Sequence, residues 1–513
     1  MRNKIFWTVV VCIIFFLTLL AAGAAMAGAK DTVRVGMYSD PTTVNPFRYK
    51  TGNDEVAFGS MFQGMLKVDD KTGDLVLGLA ESLKIMENGK DIRIKLRKGP
   101  KFPAGDPVTA HDVRFSWRQH LNKKNKSLLR SVYKKILDVE IIDDYNFIYR
   151  FKEPYAPWES LMSMSIGSKN YYDKVGMDGF NKKPVGSGPF NLIERKISER
   201  ITMEAVKNHH DHKVDFKTLQ LVTVPDDMTR LAMLETGELD LVYYILPHLV
   251  KRIERRKEIK VKRSGMAPSY FALSLRANPK DRIIRDRNLS RALNYAINRQ
   301  ELIDKIFLGE GYPHYMGADR NEYGYDPDFK YEFDPEKARK MIKASSYKPG
   351  TPLMLTYVAE MPHAAHVAAA VQKYMKDVGV TIKLQLMDEG VFLTYSRTND
   401  PRLGHIITYS WAGDRDPIWR MMLGVKSDGF YTNYKNRPNK DVIDRLCDAQ
   451  AIEMNKEKRL AILREIHKLL QEDPSVIPLF GLNMIYAMRD WIDYNWLPKS
   501  ADIAHLWNIK VVK

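Results

Sequence analysis

Short strand-like runs alternate with helices along the chain, and no Gly/Ser-rich or Pro-rich linker interrupts them. Residues 92–96 alternate between apolar and charged side chains with a period of two, and parts of 145–151 and 381–386 do the same. This period is typical of strands that bury one face. Since there is no repeat of fixed period and no low-complexity tract, solenoids and propellers are excluded, and we predict a mixed α/β fold.

Capping residues mark where several helices begin and end. Three N-terminal signals are Thr109 with Asp112, Asn298 with Glu301, and Asp334 before Pro335. The first two pairs resemble capping boxes, and proline is favoured at the first position of a helix. Gly237 and Gly379 each follow a helical pattern and precede an apolar strand, so both are predicted to end a helix.

The first 27 residues have the pattern of a secretory signal peptide. Two basic residues precede an apolar run at 5–22, and Ala25-Met26-Ala27 is a cleavage site of the A-x-A type. We expect residues 1–27 to be removed on export; the alternative is an uncleaved membrane anchor. Cys12 lies inside the apolar run, so we expect no lipid anchor and a periplasmic protein that is not a lipoprotein.

After that cleavage Cys447 is the only cysteine, so neither an intramolecular disulfide nor a cysteine-based zinc site can form. Stability must come from apolar burial. At about 100 to 200 residues per domain, a chain of 513 residues is expected to form two or three cores.

The net charge of +17 comes from basic residues that are scattered among acidic and apolar ones. We interpret them as solvated faces, with weak attraction to anionic membrane lipids as the alternative. Export also excludes a nucleic-acid partner.

The common signatures of hydrolases and nucleotide-binding enzymes are missing from the sequence. It has no G-x-S-x-G, no H-E-x-x-H and no G-x-x-x-x-G-K-[ST] pattern. Gly186-Ser187-Gly188 before Pro189 lacks the third glycine of a dinucleotide site and is interpreted as a tight turn before a strand. We therefore predict no enzyme activity, no catalytic residues and no cofactor.

Two groups of histidines could in principle bind a metal ion. In the segment His209-His210-Asp211-His212, adjacent residues of a turn seldom converge on one ion, and neighbouring lysines oppose a cation. His363 and His366 are three residues apart but have no local third ligand. We therefore predict a solvated loop between two strands at 209–212 and no metal site.

Six segments resemble, in the same order, the large solute-binding proteins for oligopeptides, dipeptides and nickel that serve ATP-binding-cassette importers, known as extracellular solute-binding protein family 5. They are LAESL at 79–83, LRKGPKF at 96–102, PVTAHDV with FS at 107–116, VGSGPF at 185–190, LETGELD at 234–240 and RALNYAINR at 291–299. The resemblance spans nearly the whole chain after the signal peptide.

This resemblance implies a two-lobed α/β periplasmic-binding-protein (Venus-flytrap) fold, with mixed sheets flanked by helices. Lobe I is expected at 28–272 with an extra subdomain at roughly 76–185, lobe II at 273–482, and a return to lobe I at 483–513. The hinge strands are expected near 269–276 and 477–488. Such a protein, a monomer, closes around a peptide and delivers it to an inner-membrane permease and its ATPase.

The resemblance also implies a ligand site, because peptide-binding relatives carry a similar Trp-x-Gly-Asp stretch whose carboxylate pairs with the α-ammonium of the peptide. The predicted ligand-binding residues are Trp411, Ala412, Gly413, Asp414, Asp416, Tyr38 and Ser39. A buried carboxylate requires a cationic partner, and an exposed strand edge can hydrogen-bond an extended peptide. The alternatives are that Asp414 forms a turn or pairs with Arg415, and that Trp411 is a core residue.

One departure from the family pattern leaves the identity of the ligand open. Dipeptide-binding relatives hold the ligand carboxylate with an arginine, and residues 357–361 of this chain contain none. A fixed length of two residues is therefore not implied. A nickel or other metal chelate, an opine, a sugar or another small solute remains the alternative to a peptide.

Overall fold

The computed structural model describes residues 31–513 apart from several short gaps. The gaps are 70–71, 88, 265–268, 277–282, 319, 359–362, 399, 413–414, 430–431, 433, 436, 496–504 and 513, and the side chains at 389–390, 393, 397–398 and 412 are also outside the description. The predicted signal peptide lies outside the described residues. Within the described ranges, no helix combines the length and the apolar character needed to cross a membrane.

Strands occur along the whole described chain. In chain order they are β1 (Thr32–Met37), β2 (Leu66–Val68), β3 (Leu75–Leu77), β4 (Ala80–Ile85), β5 (Asp91–Leu96), β6 (Ile136–Asp143), β7 (Asn146–Phe151), β8 (Phe190–Lys196), β9 (Arg200–Ala205), β10 (Thr218–Thr223), β11 (Leu241–Tyr243), β12 (Ile259–Arg263), β13 (Ser269–Leu275), β14 (Gly311–Pro313), β15 (Leu353–Val358), β16 (Ile382–Met387), β17 (Ile406–Ala412), β18 (Val476–Leu482), β19 (Ile485–Arg489), β20 (Ile492–Asp493) and β21 (Lys510–Val511). The three strands predicted from their period are confirmed as β5, β7 and β16.

The helices alternate with these strands. They span Gly52–Gly59, Ala110–Leu121, Arg130–Tyr133, Lys169–Lys182, Asp227–Thr236, Pro247–Ile253, Arg287–Ala296, Arg299–Ile306, Pro335–Lys343, Ala364–Asp377, Glu389–Thr398, Lys440–Ile452 and Lys456–Glu472, and a π-helical segment covers Arg420–Val425.

The predicted helix ends are confirmed. The carboxylate of Asp112 accepts hydrogen bonds from both the backbone N and the Oγ1 of Thr109, each at 3.0 Å. Asn298 caps the helix Arg299–Ile306 through the backbone N of Glu301. Gly237 and Gly379 end their helices with φ of 85° and 89°, a conformation that glycine adopts without steric cost.

Two large mixed sheets form the framework of two lobes. The sheet of the first lobe has the order β12-β19-β11-β1-β10-β9-β8, and that of the second lobe has the order β14-β18-β13-β17-β15-β16. In the first sheet β1 runs parallel to β10 and β11, and in the second β15 runs parallel to β16 and β17. A further sheet, β4-β5-β7-β6, lies within the predicted subdomain of the first lobe.

Each of the two large sheets has its own hydrophobic core. The first contains Val35, Phe47 and Leu221, and the second contains Leu273, Leu355 and Phe480. The core of the four-stranded sheet includes Ile418 and Ala451, which belong to the second lobe. The two lobes therefore share apolar contacts at that point.

The chain passes between the two sheets at two adjacent places. The first lies between β12 and β13, and the second lies between β18 and β19. The two crossings touch, since Ser264 N donates to Met484 O at 3.0 Å and Met484 N donates to Ser264 Oγ at 3.1 Å. The lobe boundaries at 272/273 and 482/483 remain predictions.

Candidate functional site

A cavity of about 1210 Å³ is lined by residues of both lobes. Its first-lobe wall includes Phe62 and Gln63, and its second-lobe wall includes Tyr409, Trp411 and Gly424. A volume of this size exceeds that of a typical small-molecule pocket, which is roughly 300–1000 Å³. The cavity can therefore enclose a solute of several residues.

The strand β17 contributes to the cavity wall. All of its residues pair with β13, and Ile406 and Ile407 also pair with β15. The three consecutive residues Tyr409, Ser410 and Trp411 line the cavity. β17 therefore brings a continuous stretch of the second lobe to the cavity wall.

Trp411 packs against the backbone of Gly424. A Cβ atom added to Gly424 would lie 3.2 Å from Cη2 of the Trp411 ring, so a larger residue would require the ring to shift by a few tenths of an ångström. Trp411 therefore lines the cavity with its ring held against the π-helical segment. The side chain of Ala412 and residues Gly413 and Asp414 lie outside the described residues.

The carboxylate of Asp416 forms a bidentate ion pair with Arg459. Arg459 Nη1 donates to Oδ2 at 2.6 Å, and Nη2 donates to Oδ1 at 2.7 Å. Oδ1 also accepts from the backbone N of Ile418 at 3.0 Å. Asp416 lines the cavity, but both of its oxygens are bonded within the protein.

Arg415 makes a direct contact between the two lobes. Its Nη1 donates to the carbonyl oxygen of Gly73, which follows β2, at 2.6 Å. A second contact joins Ala156 N to Ala451 O at 2.9 Å. These bonds hold the two lobes together across the cavity.

Comparison with known proteins identifies the family of this two-lobed chain. Residues 74–431 match the model of the bacterial extracellular solute-binding proteins, family 5. The chain belongs to this family. The resemblance seen in the sequence is thereby confirmed.

Individual relatives of this family 5 protein bind different solutes. It is 26% identical to the oligopeptide-binding protein AppA of Bacillus subtilis, over 93% of this chain and 90% of the relative. DppA of Helicobacter pylori, solved with the peptide STSA, has a TM-score of 0.78 at 21% identity and covers 94% of this chain and 98% of its own. NikA of Brucella suis, solved with Fe(III)-EDTA, has a TM-score of 0.83 at 19% identity and covers 94% of this chain and all, 100%, of its own. These structures show the same fold.

Tyr38 and Ser39 of the family 5 protein follow β1 and are not among the residues that line the cavity. The Tyr38 ring stands edge-on to Tyr244, with centroids 5.0 Å apart. Burial, the largest effect, raises the pKa of Tyr38. Ser39 Oγ accepts a hydrogen bond from Asn53 Nδ2. That Tyr38 and Ser39 contact the ligand remains a prediction.

The predicted loop at 209–212 connects β9 to β10, as expected. His209 Nε2 lies 2.9 Å from Ser187 O, and Nδ1 accepts from the backbone N of Asp211 and His212. Burial lowers the pKa of His209 and lowers that of His210 to about 4. In the part of the chain that the structure describes, no group of three His, Cys, Asp or Glu side chains could hold a metal ion.

His212 nevertheless lines the cavity, together with His505 and Trp507. The His505 ring stacks on Trp507 with centroids 4.4 Å apart, and His212 lies 5.1 Å from the same indole. His363 is not a cavity residue; its ring lies 6.2 Å from His248.

The predicted turn at 186–189 is confirmed immediately before β8. A Cβ atom on Gly186 would lie 2.2 Å from Met61 O, and one on Gly188 would lie 2.5 Å from Met61 C. These glycines are required because the turn packs directly on the backbone of Met61.

Sequence reasoning missed Arg420 and His467, both of which line the cavity while buried. Arg420 pairs with Glu322, and burial lowers the pKa of His467 well below its usual value. The only sequence signal was a lone arginine between Trp419 and Met421 in an otherwise apolar stretch.

Proposed function

We propose that this protein is the solute receptor of an ATP-binding-cassette importer and that it closes its two lobes around a peptide. The observation that carries the proposal is the large cavity, about 1210 Å³, whose wall combines residues of both lobes and includes Tyr409, Ser410 and Trp411 of β17. A peptide of several residues can fit in a cavity of this size, and backbone hydrogen bonds to a strand are a common way to bind an extended peptide. Peptide-binding relatives over nearly the whole chain support the same function.

Within this proposal, Asp414 binds the α-ammonium of the peptide. The described residues on both sides of it, Trp411 and Arg415, line the cavity. Arg415 and Asp416 have other partners, Gly73 and Arg459. Ala412, Gly413, Tyr38 and Ser39 complete the proposed site.

The protein acts outside the cytoplasm as a monomer, performs no covalent chemistry, and transfers its solute to an inner-membrane permease driven by an ATPase. We expect the signal peptide to be cleaved after Ala27, without lipid attachment. Intact-mass measurement of the exported protein checks this expectation; a mass that includes Met1, together with membrane association, would contradict it.

Native mass spectrometry of the purified protein tests the solute class. A receptor that closes around its solute is expected to retain it, and the mass difference identifies the class. Isothermal titration with tetraalanine and with the nickel–histidine complex then compares the two candidates directly. Retention of a non-peptide solute, with no heat from tetraalanine, would overturn peptide capture.

A second candidate function is the capture of a metal chelate. It is favoured by His212 and His505, since both line the cavity and imidazole is a common metal ligand. In that case the nickel–histidine titration should give saturable heat that the double variant His212→Ala/His505→Ala abolishes.

A further inference from the structure

Residues 113–137 of the first lobe contain basic residues but no acidic one. The basic residues are Arg114, Arg118, Lys123, Lys124, Lys126, Arg130, Lys134 and Lys135. The centre of this segment, residues 123–128, connects the helix Ala110–Leu121 to the helix Arg130–Tyr133. We call residues 123–128 the basic loop.

Hydrogen bonds to the rest of the first lobe hold the basic loop in one conformation. Asn125 and Ser127 are buried, and Asn125 Nδ2 donates to Gln119 O at 2.8 Å. The backbone N of Leu128 donates to Tyr49 O at 3.4 Å. The polar side chains of the loop are thus used to fix its backbone, which leaves the other side chains to form its outer surface.

The three lysines of the basic loop lie on that outer surface. Lys123, Lys124 and Lys126 are exposed. None of them forms an ion pair with a carboxylate in the part of the chain that the structure describes, and neither does the exposed Lys134. Their positive charge is therefore available to an anionic partner.

Leu128 adds an apolar group to the same surface. The residue is 58% exposed, although Leu129 beside it packs against the core of the four-stranded sheet. Both leucines also line the cavity, so the loop lies at the border of the cavity. A single exposed leucine is common on protein surfaces, but lysines without ion pairs beside an apolar side chain are typical of proteins that bind at the surface of a bilayer.

We propose that the basic loop docks on a membrane surface that contains anionic lipids, with its lysines at the headgroup phosphates and Leu128 at the boundary of the acyl chains. A lysine ammonium is a point charge on a flexible stem, so it can follow lipid phosphates that change position. A fixed carboxylate on a protein partner is better matched by the rigid fork of arginine. The surface therefore fits a bilayer better than an acidic protein. This inference goes beyond the proposed function and does not depend on the solute.

Co-sedimentation of the exported protein with lipid vesicles tests the docking. Vesicles of phosphatidylcholine with about one-third phosphatidylglycerol are expected to bind the wild type about tenfold or more tightly than vesicles of phosphatidylcholine alone. Raising the salt concentration from about 0.1 M to about 1 M shortens the screening length from about 10 Å to about 3 Å and should abolish this preference.

Replacing the three lysines of the basic loop together by glutamine should weaken binding to the anionic vesicles about tenfold or more, since each ammonium group near the surface contributes to the attraction. The matched control replaces Lys340, Lys343 and Lys348 of the second lobe by glutamine. These lysines are also exposed and have no ion pair with a described residue, so the control removes the same charge and should bind as the wild type does.

Leu128→Ser should weaken binding about fivefold, because the apolar contact with the acyl chains is lost. Its control is Leu386→Ser in the second lobe, at a residue that is 59% exposed and is expected to have no effect. Unchanged binding in Leu128→Ser would overturn the role assigned to the leucine.

Two outcomes would overturn docking on lipids. The first is a wild type without preference for anionic vesicles, the result expected if the loop binds a protein partner instead. The second is an equal loss in both triple lysine variants, which would assign vesicle binding to the net charge of the whole chain. Calorimetry with tetraalanine should give the same affinity for the loop variant as for the wild type, so that loss of docking is distinguished from loss of solute capture.

Discussion

Asp416 shows how a charged residue beside a ligand site acquires a structural role. Its carboxylate joins the start of the π-helical region to Arg459 of the helix Lys456–Glu472. Such a bidentate pair fixes both side chains and satisfies both carboxylate oxygens. At residue scale, this leaves Asp414 as the residue that we propose for binding the ammonium group.

Asp414→Asn is expected to weaken binding of peptides with a free N-terminus. The substitution keeps the size of the side chain and removes the charge that compensates a desolvated ammonium, a loss of about 2 to 5 kcal/mol. Titration calorimetry of the wild type and the variant, with one peptide and its N-acetylated form, measures it.

Asp416→Asn is the control for this experiment. It should lower the melting temperature through loss of the Arg459 pair, yet keep the preference for a free N-terminus. Equal affinity of the wild type for both peptide forms would remove Asp414 from the site. A loss below about 1 kcal/mol in Asp414→Asn would assign the residue to an exposed turn.

His120 makes stability depend on pH. It is buried between Phe47 and Tyr133, and burial lowers its pKa to about 3. Because the folded pKa is below the unfolded value of about 6.5, the unfolded chain takes up the proton first, and stability falls as pH drops from about 6.5 toward 3. Between pH 7 and pH 5 the expected loss is about 1 to 2 kcal/mol.

Urea unfolding at pH 7 and pH 5 measures this loss. His120→Gln should show a smaller difference between the two pH values than the wild type. His111→Gln, an exposed position on the same helix, should behave as the wild type. An unchanged difference in His120→Gln would show that other groups cause the acid sensitivity.

At the scale of elements, β17 and the loop between β9 and β10 form different parts of the cavity wall. The strand contributes Tyr409, Ser410 and Trp411, whereas the loop contributes His212. Internal hydrogen bonds from His209 to Ser187 and to the loop backbone hold that loop in place. We therefore expect recognition of an extended solute to depend more on the strand than on the loop.

Replacing His209, His210 and His212 together by alanine is expected to leave peptide affinity within about fivefold, equivalent to ~1 kcal/mol. The three histidines carry no negative charge for the peptide ammonium, and the carboxylate of Asp211 in the same loop is bonded to Lys67. Calorimetry with the same peptide before and after the substitutions tests this. A larger loss of affinity would favour capture of a metal chelate over capture of a peptide.

At the scale of the whole molecule, the two lobes are joined by a pair of adjacent crossings and by contacts on the far side of the cavity. The crossings meet at Ser264 and Met484, whereas Arg415 and Ala451 contact the first lobe. Rotation about the crossings would break the contacts across the cavity, including the apolar contacts of Ile418 and Ala451, and leave the cores of the two large sheets intact.

Ligand is therefore expected to reduce the radius of gyration and raise the melting temperature, because it binds only the closed native form. Arg415→Ala should enlarge the ligand-free radius and weaken binding, while Arg402→Ala, whose guanidinium pairs locally with Asp400, should do neither. Small-angle scattering with and without a tightly bound ligand measures closure. If the scattering curves of the wild type with and without ligand coincide, closure about the hinge is ruled out.

The sequence by itself determined the features that depend on neighbouring residues. The caps at Thr109 and Asn298, the helix-ending glycines and the period-two strands are set within a few residues of chain, and the order of six motifs was sufficient for the family. The residues that take part in these interactions are close in sequence, so the partners are the same whatever the rest of the fold is.

Only the tertiary structure decided which charged groups are paired and which face the cavity. Arg420 meets Glu322 across 98 residues, and Arg415 meets Gly73 across 342. No local pattern encodes such partners, because the free energy of a charge depends on its burial and on the groups that the fold brings to it. The same reason explains why Asp416 was predicted beside the ligand without its bond to Arg459, and why Arg420 was not predicted at all.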